Sequence, residues 1–498
     1  MAATGPGTGG NASAGGAATS GSGTTAGAGG NAASSGASSS GGASTGAGGA
    51  SSAGGGVSAG GAGGSGGAAT GFPENPAVVV LSSDGGWCWF ESPRVLFHES
   101  WLVIGSVASG VEDAARAGDI EAIVHDLGSG ETTIVELHDR LELDDHDSPA
   151  FALRPDGRLV AAYAKHGPEA HFYYRISTGT SPLAWEPEQT FAPTTATRLT
   201  YSNLYLLSAE QNRIYDFYRG LDDSYKPSYA FSDDFGATWQ SGNIVINVPS
   251  EQRHRPYVNY ASNGVDTVHL VYTEAHPRDF DNSLYHVYYR AGSLYRSDGQ
   301  LIDTLARGLA SPDQGTRLFQ GNSENVAWIA NVVLDTEGHP VAAYSVQVGS
   351  QGLPTGQGGD DIRYRYARWD GTAWQDHELA FAGSRLYAGE DDYSGLVALD
   401  PEDPSVLFLS TNADPVSGDP LVSASDGQRH YEIFRGVTSD GGATFAFTAV
   451  TSDSSQDNLR PILPPRGPGG QRALLWLRGT YRAYTNYAQE VVAVLYRE

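Results

Sequence analysis

One octapeptide pattern constrains this chain more than any other feature. Ser232-Asp233-Asp234-Phe235-Gly236-Ala237-Thr238-Trp239 fits S-x-D-x-G-x-T-W, and Thr438-Ser439-Asp440-Gly441-Gly442-Ala443-Thr444-Phe445 is a near copy. The logic of such a unit is local. The Asp accepts hydrogen bonds inside a hairpin turn, the Gly supplies a positive φ, and the aromatic residue packs beneath. A second repeat runs alongside it. Pro155-Asp156-Gly157-Arg158-Leu159-Val160-Ala161-Ala162-Tyr163 resembles Thr336-Glu337-Gly338-His339-Pro340-Val341-Ala342-Ala343-Tyr344, and Ser262-Asn263-Gly264 leading into Val268-His269-Leu270-Val271-Tyr272 is a weaker copy. Each is a tight turn followed by a strand that ends in Tyr. Capped helical periodicity is nearly absent, so many short strands at regular spacing predict a sandwich, a barrel or a propeller.

The octapeptides resemble Asp boxes, also called BNR repeats, and two copies favour the propeller. About 425 residues follow the N-terminal segment, and at roughly 60 per four-stranded blade they make about seven blades. The expected fold is therefore all-β, a seven-bladed β-propeller over residues 72–498. The terminal segments Arg472–Leu477 and Val491–Leu495 read as strands. One of them is expected to pair with the first strand, Val78–Leu81, because closing the ring protects sheet edges. Residues 1–71 are almost wholly Gly, Ala, Ser and Thr, with no aromatic residue before Phe72. They have no apolar surface to bury and are expected to be a disordered, low-complexity tether.

Charge and cysteine usage narrow the function. A formal net charge of −27 argues against nucleic-acid binding, which needs basic surface. It leaves room for a local basic cleft that binds an acidic sugar. No segment reaches the roughly eighteen apolar residues of a membrane span. Cys88, the only cysteine, lies in Trp87-Cys88-Trp89-Phe90 and reads as a buried thiol. Met1 runs directly into the tether, as expected where a leader has been removed. The reading is an exported protein, secreted or tethered to the outer cell surface, and a monomer.

Residues capable of chemistry concentrate in one stretch. It begins at Asp144-Asp145-His146-Asp147-Ser148-Pro149 and Ala164-Lys165-His166-Gly167. It continues through Thr200-Tyr201-Ser202-Asn203 and Tyr215-Asp216-Phe217-Tyr218-Arg219-Gly220, and closes at Arg255-Pro256-Tyr257-Val258-Asn259-Tyr260. Together with Trp87-Cys88-Trp89-Phe90-Glu91-Ser92-Pro93-Arg94, Thr273–Arg278, Ala398–Pro401 and Asp457–Ile462, these segments resemble the BNR-type propeller polysaccharide lyases. Among these lyases they resemble the ulvan lyases of polysaccharide lyase families twenty-four and twenty-five.

That resemblance implies β-elimination on a uronate-containing, sulfated, ulvan-like polysaccharide. The reaction needs a cation on the uronate carboxylate, a base for the C5 proton and an acid for the departing O4. Tyr201 is the expected acid and could also serve as base. His146 is the candidate base or the proton-transfer partner of Tyr201. Arg219, with a planar fork suited to a carboxylate, is the expected neutraliser. His166, Tyr260 and, as second choice, Tyr257 are candidate substrate-binding residues. The chemistry requires no cofactor. A structural metal ion is left open, with Glu274, His276 and Asp279 as a weak ligand set. Two alternatives stand beside this reading. One is a sialidase-type hydrolase, to which Arg94, Arg219 and Arg255 could supply an arginine trio. The other is a non-catalytic carbohydrate-binding propeller.

Overall fold

The computed structural model describes residues 71–194, 196–220, 225–248, 255–349, 353–354 and 356–498. The expectation of a tether over 1–71 lies outside them except for Gly71. The described strands form seven antiparallel sheets, six of four strands and one of six, arranged as blades around an axis. The fold is the expected seven-bladed propeller. Regular helix is confined to five single 3₁₀ turns among the described residues.

Ring closure occurs at the last blade. Its strands are Asp457–Ile462, Gln471–Ala483 and Asn486–Arg497, and the fourth is Val79–Ser82 from the start of the domain. Val79 pairs with Ala493 and Val80 with Val492. A hydrogen-bonded strand from the other end of the chain thus covers what would otherwise be an open edge.

The two repeats have separate jobs in the blades. The Gly157, Gly264 and Gly338 turns join a first strand to a second, all three at positive φ. Tyr163, Tyr272 and Tyr344, late in those second strands, are fully buried. Each hydroxyl finds a partner, for example Tyr272 donating to the Pro312 carbonyl at 2.8 Å. The octapeptide turns join third strands to fourth. In the first, Asp234 Oδ1 accepts from Ser232 Oγ and Thr238 N at 2.8 Å each, and Oδ2 accepts from Thr238 Oγ1 at 2.6 Å. Asp440 repeats the set with Thr438 and Thr444. The turn also staples neighbouring blades. Trp239 sits edge-on to Phe172 of the preceding blade at 5.2 Å, and Phe445 meets Tyr366 in the same way at 5.3 Å. Gly442 has φ +101, and a Cβ there would lie 2.3 Å from the Tyr366 ring.

The axial channel is filled by the chain itself. After the ring-closing strand, residues 87–94 run into the channel, with Trp87, Cys88, Trp89, Phe90 and Glu91 all buried. Trp89 packs edge-on against Trp328 and Tyr393 at 5.1 Å each, and Phe90 lies 4.8 Å from Tyr257. An irregular buried backbone must have its polar groups satisfied. Here the innermost strands and the turns before them do so. Cys88 N donates to the Asp145 carbonyl at 2.9 Å, and Asn203 Nδ2 donates to the Phe90 carbonyl at 2.9 Å. Asn259 Nδ2 reaches the Trp89 carbonyl at 3.3 Å, Leu204 N reaches Ser92, and Arg460 Nη1 reaches the Trp87 carbonyl. Beyond this plug, the far ends of the innermost strands line an apolar bowl of about 470 Å³, with Val95, Leu206, Val333 and Ile462 in its wall.

The octapeptide turns are remote from the channel, so their loss should cost stability alone. Asp234→Ala removes three hydrogen bonds of one turn and is expected to destabilise by about 1–3 kcal/mol. A lowered thermal unfolding midpoint with unchanged turnover is the expected result.

Candidate active site

The opposite mouth of the channel, where the innermost strands begin, gathers most of the residues singled out in the sequence. His146 sits in a 3₁₀ turn, Asp145–Asp147, just ahead of the second blade. Asp144 caps that turn. Its Oδ1 accepts from the His146 backbone N at 3.0 Å and lies 2.6 Å from His146 Nδ1, while its Oδ2 lies 2.9 Å from His166 Nδ1. One carboxylate therefore holds two imidazoles, which stack at 4.3 Å with 14° between their planes.

The pair is asymmetric. His146 is buried, and His166 is about a quarter exposed to the cleft. Burial works against a charge on His146, but Cys88, Tyr201, Asp144 and Tyr393 together raise its pKa well above the usual value. Burial and then the neighbouring His146 push His166 down to about 4. With Nδ1 turned to Asp144, neutral His166 carries its lone pair on Nε2.

Tyr201 stacks against His166 at 5.8 Å and tilts against His146 at 5.5 Å. Its position comes from a break in the innermost strand Leu199–Leu207, where the pairing slips between Thr200 and Asn203. Tyr201 there has φ +65, an unusual conformation for a bulky residue. Asn203 Nδ2 braces the bulge by donating to the Tyr201 and Phe217 carbonyls at 3.0 and 3.1 Å. Asp216 accepts from Asn203 N at 2.9 Å, and burial pushes its carboxyl up to about 7.

Arg219 lies in the strand paired with Tyr201's own. Its guanidinium carbon is 4.4 Å from the Tyr201 ring centre, 4.5 Å from that of Tyr257 and 5.0 Å from that of Tyr225. The residue is 4% exposed, and neither its Nε nor its Nη1 has a hydrogen-bond partner. No carboxylate among the described residues pairs with it. A buried, aromatic-walled cation with no carboxylate partner among the described residues is suited to bind an anion, since an uncompensated buried charge is costly.

Of the two candidate tyrosines, Tyr257 packs directly in the cluster, 6.2 Å from the Tyr201 ring, while Tyr260 only lines the small space beneath it with Tyr201 and Arg219. Tyr260 stacks on Phe217 at 5.1 Å and accepts, through its carbonyl, from Tyr205 OH at 3.1 Å. It belongs to the packing between the third and fourth blades. The two positions are three apart in one segment, and only the start of the strand at Val258 decides which of them meets the cleft.

Several contributors were not legible beforehand. Asp145 Oδ2 accepts from Arg460 Nη1 at 2.6 Å and from Tyr481 OH at 2.8 Å, binding the last blade to the histidine turn. Tyr393 places its hydroxyl 3.4 Å from His146 Nε2. Nothing in the sequence around Tyr393 or Tyr481 marks them among 26 tyrosines. Cys88, buried as expected, lies beside His146, and burial raises its thiol pKa.

Two groups bring metal-capable atoms within 4.8 Å of one another: Cys88, Asp145 and His146, and Asp144, His146 and His166. Both Asp144 oxygens are already engaged by imidazoles. In the 274–279 segment, Glu274 accepts from Ser283 N at 2.7 Å and from Tyr285 OH at 2.8 Å, and His276 Nδ1 accepts from Arg278 N at 3.1 Å.

This architecture defines a class: a seven-bladed, Asp-turn propeller with a His–Tyr–Arg cleft on its axis. A model of the BNR repeat-containing family matches residues 115–382, more than half of the chain, and the chain belongs to that family. Among solved structures, its fold is similar to a PL25 ulvan lyase bound to -[GlcA(1-4)Rha3S]-. That match has a TM-score of 0.62 and 13% identity, covering 83% of this chain and 95% of that one. It is also similar to the polysaccharide lyase Uly1, with a TM-score of 0.53 and 10% identity, covering 82% and 90%. No curated protein matches significantly by sequence.

The depressed His166 pKa has a thermodynamic consequence. Unfolded, this imidazole titrates near 6.5, and folded near 4, so the unfolded state binds the proton first as pH falls. Its contribution to stability is full above pH 6.5 and is lost progressively down to about 4. His166→Gln lacks that loss. Denaturant unfolding of wild type and variant across this window should show the wild type falling relative to the variant, and parallel curves would refute the assignment.

Proposed function

We propose that this protein is a polysaccharide lyase that cleaves a uronate-containing, sulfated polymer by β-elimination outside the cell. The observation that carries this reading is Arg219, a buried guanidinium with no carboxylate partner among the described residues, set against Tyr201 and the histidine pair. A uronate carboxylate docked on Arg219 has its negative charge offset by the guanidinium, which lowers the cost of the enolate formed when the C5 proton is removed. Neutral His166 presents a free Nε2 to the cleft and takes that proton. Tyr201, whose hydroxyl has no hydrogen bond among the described residues, gives its proton to the departing O4. His146, held charged by its surroundings, stabilises the phenolate left on Tyr201 and then helps restore its proton. Tyr257 walls the carboxylate site.

This assignment moves the base from His146 to His166. His146 is buried with both ring nitrogens engaged, whereas His166 is the accessible member of the pair. The hydrolase alternative finds less support. Its arginine trio would need Arg94 beside Arg219, but Arg94 lines the bowl at the other mouth and donates to the Glu91 carbonyl.

Elimination leaves an unsaturated uronate that absorbs in the ultraviolet, and hydrolysis adds the mass of water. Tyr201→Phe keeps the ring and deletes the hydroxyl, so it should fold normally and lose about 10²–10⁴-fold in turnover. Arg219→Lys keeps the charge without the fork and should recover only part of the wild-type rate. Polymer whose carboxylates have been reduced to alcohols should not be cleaved. Efficient cleavage of that reduced polymer, or products heavier by water with no unsaturated end, would exclude elimination. Binding without cleavage would favour the carbohydrate-binding alternative.

A further inference from the structure

The ring of Tyr225 separates two arginines. Arg219 lies 5.0 Å from its centre, and Arg198 lies 5.4 Å from it and donates from Nη1 to the Tyr225 hydroxyl at 3.3 Å. Arg198 immediately precedes the innermost strand that carries Tyr201, and Tyr225 immediately precedes the strand beside Arg219. All of them sit at the same mouth. Arg198 is exposed, and among the described residues that hydroxyl is its only hydrogen-bond partner and no carboxylate pairs with it. In a chain of net charge −27, two adjacent cations with no carboxylate partner among the described residues are conspicuous. Tyr225 itself is half-buried, with φ +51, which turns the chain so that the ring stands between the two guanidiniums.

We infer that Arg198 and Tyr225 form a second anion subsite, one sugar away from the Arg219 carboxylate site. It takes an anionic substituent, a sulfate ester or a second carboxylate, on the residue flanking the cleaved uronate. The inference rests on the lyase reading for the position of that uronate. Arg198 offers the planar donor fork that both anions accept. The Tyr225 ring offers a face for the sugar. Two sites joined by one ring fix the register of the chain, so that a carboxylate at Arg219 and an anion at Arg198 are engaged together.

The test is Arg198→Gln, assayed on a sulfated uronate polymer and on the same polymer after desulfation. On the sulfated polymer the variant should raise KM about tenfold, with the change in KM rather than kcat. Arg466→Gln, which removes a remote surface charge paired with Glu498, should not shift KM and controls for long-range charge. If sulfate is the ligand, desulfation raises the wild-type KM to the variant's value and abolishes the difference between them. If a carboxylate is the ligand, the difference survives desulfation. An Arg198→Gln variant with wild-type KM on both polymers overturns the subsite. If wild type cleaves neither polymer, the lyase reading fails by itself. Calorimetric binding of the sulfated oligosaccharide then decides the subsite, with equal affinity for wild type and Arg198→Gln counting against it.

Discussion

Everything at the cleft depends on how the buried backbone of residues 87–94 is satisfied. A propeller leaves an axial hole, and here the chain fills it with an irregular segment that makes no ladder of its own. Its backbone polar groups need partners on the surrounding strands. Asn203, Asn259 and Arg460 supply side chains to it, and Asp145, Leu204 and Ile329 supply backbone groups. These partners come from different blades, so the plug sets the spacing of the inner strands. The same residues flank the candidate catalytic groups. Asn203 also holds the bulge that carries Tyr201, and Asp145 also faces His146.

The inner strands bend to meet this plug. Tyr201, Leu396 and Arg460 all take positive φ in or beside innermost strands, at positions where glycine would cost less. Such conformations cost of order 1–3 kcal/mol each. They persist because the packing around them leaves no alternative. For Tyr201 and Arg460 the result is a side chain turned from the blade interface to the axis, where it meets the histidine turn. Strain, plug and candidate site are thus parts of one arrangement.

Much of this fold was legible because its signals are local. The octapeptide turns, the turn-and-Tyr strands and the terminal strands carry their hydrogen bonding within a few residues, so sequence spacing exposes them. Asp144, His146 and His166 lie within one short stretch and were placed close together for the same reason. The failures are long-range. Arg460 and Tyr481 reach Asp145 across more than three hundred residues, and no local pattern announces that contact. Tyr257 stands just ahead of the strand that carries Tyr260, and no local pattern marks where that strand starts. That Arg219 meets no carboxylate among the described residues is invisible in sequence, because it depends on how the fold places distant side chains.

Ring closure has a mechanical side. The first strand joins the last blade through few residue pairs, with Val79 on Ala493 and Val80 on Val492, before its register slips at Ser82. Load applied to the chain ahead of Val79 falls first on that short edge. Behind it, Asp84 and Gly86 are hydrogen-bonded to Ser109, Gly110, Ser106 and Val107 of the first blade, and only then does the chain enter the axial plug, so a pull that peels the edge meets those bonds before it reaches Trp87–Phe90. The closing strand is thus one half of a double seam: the same short stretch of chain ties the last blade, through Val79 and Val80, to the first, through Asp84 and Gly86, before it turns into the axis.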